Sequence, residues 1–189
     1  MKIDKTTGLL DQADYIPSPN VDERSGEQPT DLIVIHNISL PPGQFGDDWV
    51  QALFTNTLPA DADPYFAEIC DLRVSSHLYI RRNGQIIQFV PFHQRAWHAG
   101  VSCFQQKTAC NDFSIGIELE GTDELPYEEA QYQQLAETIK TLSSSYADLR
   151  LERITGHCDI APERKTDPGP AFDWHKLQQL LAVDAFESA

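Results

Sequence analysis

The chain has 189 residues and a formal net charge of −15, with 41% hydrophobic, 23% charged and 10% aromatic residues. At about 150 residues per domain this length points to one domain, large enough to bury roughly 70% of its unfolded surface without disulfide staples. The acidic balance argues against nucleic acid or an anionic membrane as partners, and no run approaches the roughly 18 apolar residues of a membrane-spanning helix.

The start, Met1-Lys2-Ile3-Asp4-Lys5-Thr6, lacks the apolar core and cleavage site of a secretory signal. If it is the native start, a cytoplasmic location is expected. Residues 1–30 are polar and carry Pro17, Pro19 and Pro29, which reads as an extended arm laid over the domain. Leu32-Ile33-Val34-Ile35 is a short β-branched run, the pattern of a strand buried on both faces. It ends in His36-Asn37. Trp49, Val50, Leu53 and Phe54 share a helical face and predict a helix near 47–54. Runs from His77 to Ile80 and from Ile86 to Val90 flank Asn83-Gly84 and predict a hairpin.

Phe113 to Glu120 alternates, with Phe113, Ile115, Ile117 and Leu119 on one face and Ser114, Gly116, Glu118 and Glu120 on the other. Tyr132, Leu135, Ala136, Ile139 and Leu142 define an amphipathic helix over about 127–145. Ile154-Thr155 leads as a short strand into Gly156-His157, and Trp174, Leu177, Leu180 and Leu181 form a last helix with Asp173 as its N-cap. These elements predict a single α/β domain over 31–183, a mixed central sheet flanked by helices. The arm (1–30) precedes it and a tail (184–189) follows. Cys70, Cys103, Cys110 and Cys158 are too sparse for a disulfide scaffold and are expected to be mostly reduced and buried.

Two histidines, His36 and His157, sit where strands end, a favoured place for ligands. The loop after His157, Ala161-Pro162-Glu163-Arg164-Lys165-Thr166-Asp167-Pro168-Gly169-Pro170, is pinned by three prolines. Two His and a carboxylate suffice to hold a catalytic zinc with one position open. Spacing alone does not establish such a site. A His at a strand end is also an ordinary hydrogen-bonding residue, Lys165 beside Arg164 reads equally as a solvated loop charge, and Asp167 as a turn residue before Pro168. Glu118 and Glu120 share a strand face, and alternation does not choose between them.

Four colinear segments carry a resemblance. They are Val34 to Gly43, Arg95 to Ser102, Asn111 to Thr122 and Thr155 to Pro170. Together they resemble the AmpD family of zinc N-acetylmuramoyl-L-alanine amidases, over a stretch from about Ile16 to the last helix. The resemblance implies a peptidoglycan-recognition-like fold and one Zn2+ per chain. It implies hydrolysis of the amide between the lactyl group of 1,6-anhydro-N-acetylmuramic acid and the L-Ala of soluble muropeptides, in peptidoglycan recycling. The family's metal ligands fall on His36, His157 and Asp167, its catalytic acidic residue on Glu118 and its catalytic lysine on Lys165. Asn37 and Arg73 match ligand-contacting positions, and Trp97, His98 and Ala161 are further candidates for substrate contact. Cys158 is read as a buried thiol facing away from the metal, since it directly follows His157.

One departure stands out. The family often has Arg directly before Cys110-Asn111-Asp112, where this chain has Ala109, with Lys107 nearby. From Leu72 to Asn111 there is no Asp or Glu, whereas Arg73, Arg81, Arg82, Arg95 and Lys107 fall within it. This predicts a locally cationic cleft for a small, carboxylate-bearing ligand. The expected partner is that small molecule alone, bound by a monomer with no nucleic acid or membrane involved. Two other readings are a non-catalytic receptor for peptidoglycan fragments on the same fold and an exported amidase acting on the polymeric wall.

Overall fold

The computed structural model describes residues 1–26 and 28–182. Residue 183 and the tail predicted at 184–189 lie outside the described residues. In chain order, β1 (Ile3–Asp4) and β2 (Leu9–Leu10) form a small hairpin, followed by β3 (Asp14–Tyr15) and β4 (Val21–Glu23). Next come β5 (Leu32–Ile38), α1 (Trp49–Phe54), α2 (Phe66–Ile69), β6 (Leu78–Ile80), β7 (Ile86–Gln88) and β8 (Gln94–Ala96). A two-stranded loop, β9 (Cys103–Phe104) and β10 (Lys107–Thr108), leads to β11 (Ser114–Glu120) and α3 (Glu129–Ser145). The last elements are β12 (Ile154–Gly156), α4 (His157–Ile160) and α5 (Trp174–Ala182).

Six strands form one sheet in the order β12-β5-β11-β6-β7-β3. Only β6 and β7 pair antiparallel, through the predicted Asn83-Gly84 hairpin; the other pairings are parallel. The apolar run at Leu32–Ile35 therefore occupies the sheet interior, between β12 and β11. The arm is more than a loop over the domain. Its β3 forms the sheet edge beside β7, and β4 pairs with β8. Strands of two or three residues leave no periodicity to read, so the sequence showed only the prolines around them.

The two faces of the sheet have different work. Ile33, Ile35, Leu78, Ile80, Ile115, Ile117 and Leu119 pack beneath α3 and α5 with Leu135, Ile139 and Leu177. Deleting one such side chain costs about 2–5 kcal/mol. Gln131 of α3 donates from Nε2 to the carbonyls of Ile80 (3.2 Å) and Glu120 (3.1 Å), clamping the ends of β6 and β11. Asp173 caps α5 as predicted, accepting the Lys176 N–H at 2.9 Å. On the other face lie α1 and α2 over Tyr79, Ile87 and Phe89, and Leu32 and Val34 with Ala99, Cys110, Phe113 and Ile160. The alternating polar residues of β11 point to this side, and every residue of β11 is buried.

The cysteines depart from expectation. All four are free, but only Cys110 is buried; Cys70 and Cys158 are half-buried and Cys103 is exposed.

Candidate metal centre

His36 is the fifth residue of β5 and stands in register beside Glu118 of β11. Neighbouring residues of a parallel pair share a face, so both point away from α3. Register with Val34 brings Thr155 of β12 alongside, and the chain then turns directly into α4. His157 is thus the first residue of a short helix, not the last of a strand. The loop that follows returns to the same place, where the Cys158 N–H donates to the Asp167 carbonyl at 2.9 Å.

Three atoms converge there. His36 Nδ1, His157 Nδ1 and Asp167 Oδ2 form a triangle with each side 3.0 Å. Among the described residues they form the one His/Cys/Asp/Glu group spaced to hold a metal ion. Zinc bonds of about 2.0–2.1 Å in a tetrahedron separate neighbouring ligand atoms by roughly 3.3 Å, so the triangle is close to the required size. Its protons also fit a cation. The second nitrogen of His157, Nε2, lies 3.2 Å from the Ala99 carbonyl, which only accepts. Its single ring proton therefore sits on Nε2 and leaves Nδ1 a bare lone pair. A carboxylate oxygen facing such lone pairs is repelled unless a positive ion lies between them.

The electrostatics agree. Burial lowers the His36 pKa to about 4, against the opposing pull of Asp167, so the ring is a neutral ligand near pH 7. Cys158 lies outside the triangle. Helical rather than extended backbone separates it from its neighbour, and burial pushes its thiol up.

Glu118 and Glu120, indistinguishable by alternation, part company here. Glu120 accepts the Gly46 N–H at 2.5 Å and the Arg82 N–H at 2.9 Å. Glu118 is 8% exposed, and its Oε2 has no hydrogen-bond partner. Burial, then the neighbouring Asp167 charge, push its pKa well up, with Lys165 pulling the other way. Lys165 itself is exposed.

All five residues line a cleft of about 700 Å³. Its lining mixes polar residues, among them Asn37, Thr122, Asp123 and Arg164, with apolar ones, among them Leu40, Tyr65, Ile69 and Leu72. Asn37 uses its amide NH2 internally, donating to Asp123 Oδ1 (2.8 Å) and the Pro168 carbonyl (3.1 Å). His98 lines the cleft floor, whereas Arg73, Trp97 and Ala161 are not part of the lining. The Arg73 guanidinium donates to the Cys70 and Leu72 carbonyls. Lys107 pairs with Asp31 and lies over the Phe113 ring. The cationic cleft expected from the acid-free segment is therefore not formed by that segment. Arg81 and Arg95 pair with Asp48, Asp22 and Asp112, and Arg82 with Glu128. The cations lining the cleft are Arg164 and Lys165, from the loop after α4. A run free of acids says nothing about which acids fold against it.

Residues 26–170 match the family described as N-acetylmuramoyl-L-alanine amidase. The chain is 58% identical over 177 residues to the 1,6-anhydro-N-acetylmuramyl-L-alanine amidase AmpD of Escherichia coli strain K12, covering 94% of this chain and 96% of that one. It is 52% identical to the protein of the same name from Haemophilus influenzae, over 89% and 92% of the two chains. A crystal structure of a selenomethionine derivative of AmpD superposes with a TM-score of 0.92 at 56% identity, covering 96% of this chain and 99% of that one. The amidase AmiD of E. coli, in complex with the substrate anhydro-N-acetylmuramic acid-L-Ala-D-γ-Glu-L-Lys, aligns with a TM-score of 0.60 at 34% identity over 84% and 60% of the chains.

Proposed function

The chain belongs to the N-acetylmuramoyl-L-alanine amidase family, and from that premise we propose a zinc-dependent hydrolysis of soluble anhydro-muropeptides centred on the His36–His157–Asp167 triangle. The bond cleaved joins the lactyl group of 1,6-anhydro-N-acetylmuramic acid to L-Ala, and the reaction serves peptidoglycan recycling in the cytoplasm. The observation that carries this reading is the triangle of 3.0 Å sides with an unpartnered, buried Glu118 beside it.

His36, His157 and Asp167 would hold one zinc ion. Bound there, zinc would supply Lewis acidity, lowering the pKa of water to about 7 and polarising the lactyl carbonyl. Glu118 is the proton carrier: its free Oε2 takes a proton from the attacking water and returns it to the departing amine of L-Ala. Lys165 is an exposed cation lining the cleft and balances the negative charge that develops on the carbonyl oxygen. Water adds to the carbonyl carbon, the C–N bond breaks, and a carboxylate and a free amine leave. Asn37 would offer its Oδ1 to substrate. The mixed polar and apolar lining of the cleft suits a molecule part sugar and part peptide. No helix among the described residues is long and apolar enough to cross a membrane.

The decisive experiment incubates the zinc-loaded protein with an anhydro-muropeptide and with intact sacculi, and follows release of free stem peptide by mass spectrometry. Release from the soluble fragment at a much higher rate supports the proposal. An intact fragment after long incubation would mark a receptor, and preference for sacculi would mark a wall hydrolase.

A further inference from the structure

We infer that His98 is a positioning residue, which through a directional chain of hydrogen bonds from Ser114 holds His36 in the single tautomer that presents Nδ1 to the metal. This rests on the metal reading above and adds to it a residue outside the ligand set.

The direction of the chain is set at its far end. Ser114 Oγ lies 2.6 Å from the Cys110 carbonyl. A carbonyl only accepts, so the hydroxyl proton points there and Oγ is left as an acceptor. His98 Nε2, at 3.1 Å, must then be the donor to Ser114 Oγ. A neutral ring with its proton on Nε2 has a lone pair on Nδ1. That lone pair faces His36 Nε2 at 2.9 Å, which must donate to it. The one ring proton of neutral His36 is thereby held on Nε2, and Nδ1, the corner of the triangle, is bare. His157 reaches the same state by a simpler route through the Ala99 carbonyl.

The fold makes room for this arrangement. A Cβ on Gly116 would stand 2.4 Å from His98 Cγ and 2.6 Å from His98 Nδ1, closer than any side chain tolerates. The ring occupies the space of the missing side chain. Ser114, Gly116 and Glu118 lie on one face of β11, so a single strand supplies the far end of the chain, the gap for the ring and the unpartnered carboxylate. His98 and His36 meet edge to face, with centroids 5.0 Å apart. The backbone N–H groups of His98 and Ala99 both donate to Asn111 Oδ1, at 3.1 and 2.8 Å, which fixes the height of the ring.

The test compares His98→Asn with His98→Leu. The two substitutes have the same number of side-chain heavy atoms, branched at the same carbon, so their shapes are alike. Asn Oδ1 stands where Nδ1 stood and can still accept from His36; Leu cannot. Zinc affinity is measured by competition with a chelator, after the wild-type protein has been shown to bind zinc. Outer partners of metal-bound histidines typically contribute about 10–100-fold in affinity. A fall of that size is expected for His98→Leu, with His98→Asn restored to within a few-fold of wild type. In the metal-free protein, imidazole 15N shifts should show His36 protonated on Nε2 alone, and a mixture of tautomers in His98→Leu. Ser114→Ala, a milder change, should give the same mixture to a lesser degree. Equal loss in the Asn and Leu variants, or an unchanged His36 tautomer in both His98→Leu and Ser114→Ala, overturns the inference. Absence of zinc binding by the wild-type protein would instead overturn the metal reading, while the tautomer measurement stands by itself.

Discussion

Replacing Glu118 by Gln separates catalysis from stability, because the structure predicts opposite effects on the two. The side chain is 8% exposed and Oε2 has no partner. An ionised carboxylate buried without a partner costs more than a neutral amide in the same place, by about 1.4 kcal/mol for each unit its pKa is raised, and the nearby Asp167 charge adds to the cost of ionising it. Gln keeps the shape and removes the charge. In the metal-free protein at neutral pH, Glu118→Gln should therefore gain about 1–3 kcal/mol. At about 2–4 °C per kcal/mol for a chain of this size, the midpoint of thermal unfolding rises by roughly 2–12 °C. The pH dependence follows from linkage. The unfolded Glu ionises near pH 4.3, while the folded one holds its proton to higher pH. Above about pH 4 the folded state binds more protons than the unfolded state, so its stability falls as pH rises. The advantage of Gln is thus absent below about pH 4 and grows above it. Turnover by the zinc-loaded variant should fall about 10²–10⁴-fold, the usual worth of a proton carrier. Calorimetry across pH and a muropeptide assay measure the two effects. A variant that retains a tenth of wild-type turnover, or that unfolds more easily at neutral pH, refutes the reasoning.

Lys165→Ala should lower kcat by about 10²–10³-fold yet change stability by less than about 0.5 kcal/mol, since the side chain is exposed; loss of substrate affinity with unchanged kcat would contradict the role given to it. Zinc at 1,000 times its Kd stabilises by about 4 kcal/mol, so chelation should lower the thermal midpoint by roughly 8–16 °C and abolish turnover; an unmoved midpoint counts against the metal centre. His36 has a folded pKa of about 4 against about 6.5 unfolded. Between these values the unfolded state binds more protons, so the metal-free protein should lose stability as pH falls from about 6.5 to 4, by up to about 3 kcal/mol. Denaturant titrations across that window check it, with a shallower slope expected in His36→Gln; the slope that remains comes from His77 and His98, whose pKa values burial also lowers.

Much of the frame was legible without coordinates. The β-branched run Leu32–Ile35, the Asn83-Gly84 turn, the apolar spacing from Tyr132 to Leu142 and the Asp173 cap each express a local rule, of period, turn chemistry or capping. Each is found where those rules predict. The segments around His36, Glu118 and Asp167 resemble the amidases closely enough to indicate the family. Local rules stop where partners come from elsewhere in the chain. Glu118 and Glu120 have the same phase in a period of two, and only Gly46 and Arg82, folded against one of them, tell them apart. The acid-free stretch from Leu72 to Asn111 looked cationic until Asp22, Asp31, Asp48, Asp112 and Glu128 closed on it. His98 followed Trp97 as a candidate for substrate contact, and only the fold shows that the gap over Gly116 also seats its ring against His36. The sequence determines which elements form and which chemical groups they carry. Whether a buried group meets a partner or is left free to react depends on contacts between residues distant in the chain, and those exist only in the tertiary structure.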